Sequence, residues 1–121
     1  NAELLAKKSN MIIVLKGFRT IISSVKDGTH INSSGSSAMA TGGMGDSLSG
    51  IIGSFLAQGY KTIDATKLGV FLHGKSGDIL LNKKHNRGIL ARDIIRVLPE
   101  AIHSFVKNSV LEVRNYIKNE N

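Results

Sequence analysis

Met11-Ile12-Ile13-Val14-Leu15 is a continuous apolar run with β-branched residues, closed by Lys16-Gly17. An apolar stretch of this length without alternation predicts a strand buried on both faces of a parallel sheet. It is also the longest purely apolar run in the chain, far short of the ~20 residues that span a bilayer. Parallel neighbours need crossover connections, and the remaining sequence offers no second strand of this kind. The chain therefore reads as the C-terminal part of a larger α/β protein, with Met11–Leu15 at the edge of an interrupted sheet.

Downstream, Thr20–Val25 and Thr29–Asn32 flank Lys26-Asp27-Gly28, an Asp-Gly hairpin signal. Upstream, residues 1–10 read as the end of an amphipathic helix entered without a cap. From Met44 the apolar positions Leu48, Ile51, Ile52, Phe55 and Leu56 recur at helical spacing, and Gln58-Gly59 closes that helix. Thr62 is read as the cap of the next helix, whose inner face is Ala65, Leu68, Leu72 and Ile79. Gly69, Gly74 and Gly77 leave room there for close backbone approach. Arg87-Gly88 is a predicted turn and Leu90–Leu98 a short helix. Pro99 is predicted to open a last helix bearing Ile102, Phe105, Val106, Val110, Val113 and Ile117. The expectation is thus one parallel-type strand, one hairpin and about five helices over residues 1–121.

The 121 residues fit one domain. With 41% hydrophobic and 21% charged residues the composition is globular. The absence of cysteine excludes disulfides and thiolate chemistry and fits a reducing compartment. No secretory leader pattern opens the chain, so a cytoplasmic protein without membrane partners is expected. The formal net charge is +7, yet the basic residues are scattered and only four Phe and two Tyr are present to stack bases. Nucleic acid is therefore not the expected partner; an anionic small ligand is compatible with the charge.

Thirteen glycines are present, seven of them between residues 35 and 59. Asn32-Ser33-Ser34-Gly35-Ser36-Ser37-Ala38-Met39-Ala40-Thr41-Gly42-Gly43-Met44-Gly45-Asp46 runs directly into the amphipathic helix. A helix N-terminus offers unpaired N–H groups and about half a positive charge, and Gly42, Gly43 and Gly45 keep side chains away from those donors. That is a pattern for anion binding. Asp46 lies in the first turn. Taken alone it complements the helix dipole, whereas after three glycines it suits a base facing an acceptor hydroxyl.

Other patterns carry less. Gly69-Val70-Phe71-Leu72-His73-Gly74-Lys75-Ser76 matches a phosphate-loop expression, but no strand precedes it and its middle is helical, so it is rejected. Lys16-Gly17-Phe18-Arg19-Thr20 lies at the strand's C-terminal end, where open α/β sheets bind ligands; by spacing alone it is a solvated turn. His30, His73, His85 and His103 fall on separate elements without metal-ligand spacing, and His73 is expected to be packed rather than catalytic.

Met39-Ala40-Thr41-Gly42-Gly43-Met44-Gly45-Asp46-Ser47-Leu48-Ser49-Gly50-Ile51-Ile52 closely resembles the signature of the ADP/ATP-dependent NAD(P)H-hydrate dehydratases, of the ribokinase-like superfamily. Val14-Leu15-Lys16-Gly17-x-x-Thr20, Leu72-His73-Gly74-x-x-Gly77-Asp78 and Gly88-Ile89-Leu90-Ala91-x-Asp93 resemble further motifs of that family, in the same order. Two departures stand out: Asn32-Ser33-Ser34-Gly35-Ser36 replaces an Asn-x-Thr-Gly-Asn pattern, and Lys75-Ser76 a smaller pair. The resemblance implies the C-terminal portion of a three-layer α/β/α domain. It implies an enzyme that phosphorylates the ring hydroxyl of hydrated NADH or NADPH with ADP or ATP and restores NAD(P)H as phosphate leaves. Lys16, Gly17, Phe18, Arg19, Thr20, Gly42, Gly43 and Gly45 would then border the nucleotide. Asp46 would be the base, meeting the substrate together with Asn32. Mg2+ is implied, with ligands outside this chain, as are a homo-oligomer and a fused or partnered epimerase. The alternatives are a ribokinase-like sugar or vitamin kinase using the same Asp46, and a non-enzymatic basic binding domain.

Overall fold

The computed structural model describes residues 1–84 and 88–120. Helix α1 (Ala2–Ser9) leads into β1 (Ile13–Leu15), β2 (Ile21–Ser24) and β3 (Gly28–Ile31), then a 3-10 turn at Ser37–Met39. Helices α2 (Met44–Ala57), α3 (Thr62–Lys84) and α4 (Ala91–Glu120) complete the chain.

The sheet has the order β1-β2-β3, antiparallel throughout, with Val14 opposite Ile22 and Ser24 opposite Gly28. The hairpin expected around Asp27-Gly28 is present. Gly28 holds φ +76°, a conformation glycine adopts without strain. The Ser24 hydroxyl donates to the Asp27 carboxylate at 2.8 Å and accepts the Asp27 N–H at 2.9 Å. Ser23 and Thr29, directly opposite, share a hydroxyl bond of 2.9 Å.

β1 differs from expectation. It is an edge strand paired antiparallel to β2, and Leu15 is 49% exposed. Only residues 16–20 separate the two strands, enough for an antiparallel return and too few for a parallel crossover. The short connection fixes the direction of this pair alone, a pairing that the sequence did not announce. The other edge of β1, where parallel neighbours from outside this chain are expected, has no strand beside it among the described residues.

The helix count also differs. Leu90–Leu98 and the segment after it form one helix, α4, with Pro99 inside it. Proline removes one backbone donor and disfavours a helical residue before it, but packing against α3 overrides that cost. Ile94 and Ala101 are fully buried on either side of Pro99, Glu100 pairs with Lys83 at 2.6 Å, and the Phe105 ring lies 5.6 Å from that of Phe71. At the start of α4, Asp93 accepts the Leu90 N–H at 3.0 Å while its own N–H bonds the Leu90 carbonyl, so the N3 carboxylate supplies one half of a capping box. Of the predicted Arg87-Gly88 turn, Gly88 has φ +79°, and Arg87 lies outside the described residues. Helix α1 does have a cap: the Asn1 side chain accepts the Glu3 N–H. Thr62 is the first residue of α3, and its carbonyl accepts the Thr66 hydroxyl.

Two apolar clusters grip α2. Met44 and Ile51 meet Leu80, Ile89 and Ile94, while Leu48 meets Ile22 and Val70. Leu56, expected on that face, is exposed. α3 is approached closely from two sides. A Cβ at Gly69 would lie 3.3 Å from the Ile52 Cα, and one at Gly74 only 2.7 Å from the Ser34 carbonyl carbon. One at Gly77 would lie 2.7 Å from Met39 Cγ. These glycines seat α2, the serine-rich segment and the 3-10 turn on α3. Gly69–Ser76 lies wholly inside this helix, as the rejection of the phosphate-loop match requires.

Candidate functional site

The opening turn of α2 is built from its backbone. The Thr41 hydroxyl donates to the Ile89 carbonyl at 3.0 Å, and Gly43, with φ +81°, is the N-cap residue without a side-chain cap. The first helical bond runs from the Ser47 N–H to the Gly43 carbonyl at 3.0 Å, so the preceding amides have no intrahelical acceptor. Lys16 reaches this turn from the β1–β2 loop. Its Nζ lies 3.1 Å from where a Cβ on Gly45 would stand. An ammonium thus sits against the positive end of a helix, an arrangement that favours an anion between them.

Asp46 follows immediately, exposed, with no hydrogen bond or ion pair among the described residues. Lys16 is not ion-paired to it. The carboxylate therefore stands beside the cationic turn without being neutralised by it.

Next to this turn is a cavity of about 400 Å³, within the usual size range of small-molecule sites. Lys16, Gly17, Phe18, Thr20 and Asn32 line it, together with residues of the serine-rich segment and His73. Arg19, Gly42, Gly43, Gly45 and Asp46 do not line it. Arg19 instead lies 5.9 Å from the centroid of the Phe18 ring, which is 72% exposed. A Cβ at Gly42 would meet nothing within 4 Å, whereas one at Gly43 would come within 3.3 Å of Ala91 Cβ. Gly43 therefore serves the turn and its approach to α4, while Gly45 faces Lys16.

Asn32 has a local task. Its amide donates to the Ser34 carbonyl at 2.9 Å, and the Ser34 hydroxyl in turn donates to the Phe71 carbonyl at 2.8 Å. Asp78 accepts the Gly35 N–H at 3.1 Å. The serine-rich segment is thus a cavity wall pinned to α3. The spacing of His73, Gly74, Gly77 and Asp78 was the signal for it.

His73 is 7% exposed, and its Nε2 lies 3.1 Å from the Ser47 hydroxyl. Burial, and then the Lys16 ammonium, hold its pKa below the usual imidazole range, and the Met44 backbone pulls it partly back. Burial and the nearby ammonium thus favour the neutral ring. The cavity lining holds no carboxylate, and the described residues contain no group of three His, Asp or Glu able to hold a metal ion. The cavity lining by itself supplies no carboxylate for Mg2+, an ion commonly held by one or two carboxylates together with substrate phosphates.

Fold and site together define a class. The structure is similar to a ribokinase-like superfamily protein of Enterococcus faecalis, with TM-score 0.75 and 37% identity over 85% of this chain and 35% of that one. It is also similar to the ADP/ATP-dependent NAD(P)H-hydrate dehydratase of Bacillus subtilis co-crystallised with ATP/Mg2+, with TM-score 0.82 and 30% identity over 86% of this chain and 38% of that one. Residues 1–100 match the NAD(P)H-hydrate dehydratase family model. This chain belongs to that family, and its fold is a ribokinase-like α/β arrangement. Among relatives, it is 37% identical over 102 residues to the bifunctional NAD(P)H-hydrate repair enzyme Nnr of Escherichia coli, 84% of this chain and 20% of that protein. It is 43% identical over 79 residues to the ADP-dependent (S)-NAD(P)H-hydrate dehydratase of Neisseria meningitidis, 65% of this chain and 26% of that protein. The chain thus spans about a fifth to two fifths of the relatives it matches. No helix among its described residues is long and apolar enough to cross a membrane.

Proposed function

We propose that the complete protein is a nucleotide-dependent NAD(P)H-hydrate dehydratase and that this chain supplies its phosphate-binding turn and catalytic base. One observation carries the reading: Lys16 stands against Gly45 at the uncapped start of α2, with unpaired Asp46 one residue on. The names of the relatives supply the substrate class, and the ATP/Mg2+ co-crystal of the Bacillus subtilis relative supports an adenine nucleotide.

In this reading the adenine ring lies by the exposed Phe18 ring, and the phosphates meet Lys16 and the amides of Met44–Asp46. Asp46 accepts the proton of the ring hydroxyl as its oxygen attacks the terminal phosphorus, releasing ADP from ATP or AMP from ADP. Breaking of the C–O bond then expels phosphate, and loss of a ring proton restores the double bond of NAD(P)H. The bifunctional relative supports a partnered or fused epimerase, and the cysteine-free composition supports a cytoplasmic setting.

The test is incubation of the full-length protein with hydrated NADH and ATP or ADP. Recovery of NADH absorbance with stoichiometric free phosphate is expected; a phosphoester that accumulates without NADH would assign a kinase instead. Placement of the nucleotide is tested by Gly45→Val. The branched side chain would displace Lys16 Nζ and cover the turn's amides, so nucleotide affinity is expected to fall at least tenfold by calorimetry. Unchanged affinity would move the phosphates elsewhere.

A further inference from the structure

We propose that His73 is a positioning residue that fixes the anion-binding turn of α2 through Ser47. This inference rests on the nucleotide reading above and extends it to a residue that reading does not use. The two side chains meet from different helices. Ser47 Oγ donates to the Met44 carbonyl at 2.9 Å and stands 3.1 Å from His73 Nε2. A hydroxyl has one proton. With that proton directed at Met44, the imidazole serves as the donor to Ser47, and the Met44 backbone also acts on the ring directly. The chain of bonds runs from α3 through Ser47 to Met44, which belongs to the turn that Lys16 approaches at Gly45.

Three further facts favour this over simple packing. His73 is almost fully buried yet also lines the cavity, together with Lys16 and Met44 at the start of α2. Gly74, the next residue, lies under Ser34 at backbone contact distance, which leaves α3 no freedom to slide and so gives His73 a fixed base. A neutral imidazole also donates one directed bond without setting a second cation beside Lys16, as a lysine or arginine would.

The variants are His73→Leu, which fills the space without a donor, and His73→Gln, whose amide nitrogen reproduces the Nε2 donor. In the full-length protein, His73→Leu is expected to speed hydrogen exchange of the Ser47 amide about tenfold without ligand and to raise the ATP dissociation constant about tenfold. His73→Gln should restore both to within about twofold. In a Ser47→Ala background, His73→Leu should add clearly less than it does alone, because much of its action passes through that hydroxyl. A folded His73→Leu protein with wild-type exchange at Ser47, or full additivity with Ser47→Ala, overturns the proposal. If the wild type itself binds no ATP, the nucleotide reading fails, and the exchange comparison still decides the role of His73.

Discussion

Asp46→Asn is expected to lower kcat for NADH recovery by about 10²-fold or more in the full-length protein, while nucleotide affinity changes little. Asparagine keeps the size of aspartate and removes its basicity. The Asp46 carboxylate makes no hydrogen bond or ion pair among the described residues, so the substitution breaks no contact that holds the fold. A purely structural Asp46 complements the helix dipole, and its loss then costs about 0.3–1 kcal/mol of stability and leaves turnover intact. The two outcomes differ by orders of magnitude in rate. Initial velocities of the two proteins, with thermal melts to verify folding, separate them. Near-wild-type turnover in a folded Asn variant would leave Asp46 with the dipole role alone.

The second large effect belongs to Gly74. Alanine in place of glycine inside a helix ordinarily stabilises it by about 1 kcal/mol. Here the sign reverses. The new Cβ would lie 2.7 Å from the Ser34 carbonyl carbon and 2.8 Å from its oxygen, and those atoms cannot step aside. Ser34 is tied to the Phe71 carbonyl and Gly35 to the Asp78 carboxylate. Overpacking against fixed backbone costs about 1–3 kcal/mol or more, and at this size about 3 kcal/mol lowers Tm by roughly 10 °C. Gly53→Ala is the control: it lies within α2, and a Cβ there meets nothing within 4 Å. It should melt at or above the wild type. A Gly74→Ala protein as stable as Gly53→Ala would mean that the serine-rich segment does not rest on α3.

Local signals were legible where local physics decides. The hairpin follows from Asp27-Gly28, because few residues besides glycine accept the φ of +76° found at Gly28. Helix α2 follows from its apolar spacing, and the closeness around α3 from its spaced glycines. The pairing of β1 with β2 was not legible, since Met11–Leu15 encodes burial and the five residues after it encode the antiparallel return. Nor was the continuity of α4, where the intrinsic cost of Pro99 is outweighed by contacts with residues far along the chain. At the site, the glycine turn and Asp46 were readable because helix N-termini have a sequence pattern. The meeting of Lys16 with Gly45, and of His73 with Ser47, spans 26 or more residues, a distance at which periodicity says nothing.

The passage of α4 through Pro99 sets a length scale. Phe105 makes the last ring contact with α3, and no residue from 106 to 120 is buried. At ~1.5 Å per residue those fifteen positions project a rod of about 22 Å past that contact. One flank of the rod carries Val106, Val110, Val113 and Ile117, all exposed. That length is about four helical turns, so this part of the helix is a lever arm rather than a wall of the fold.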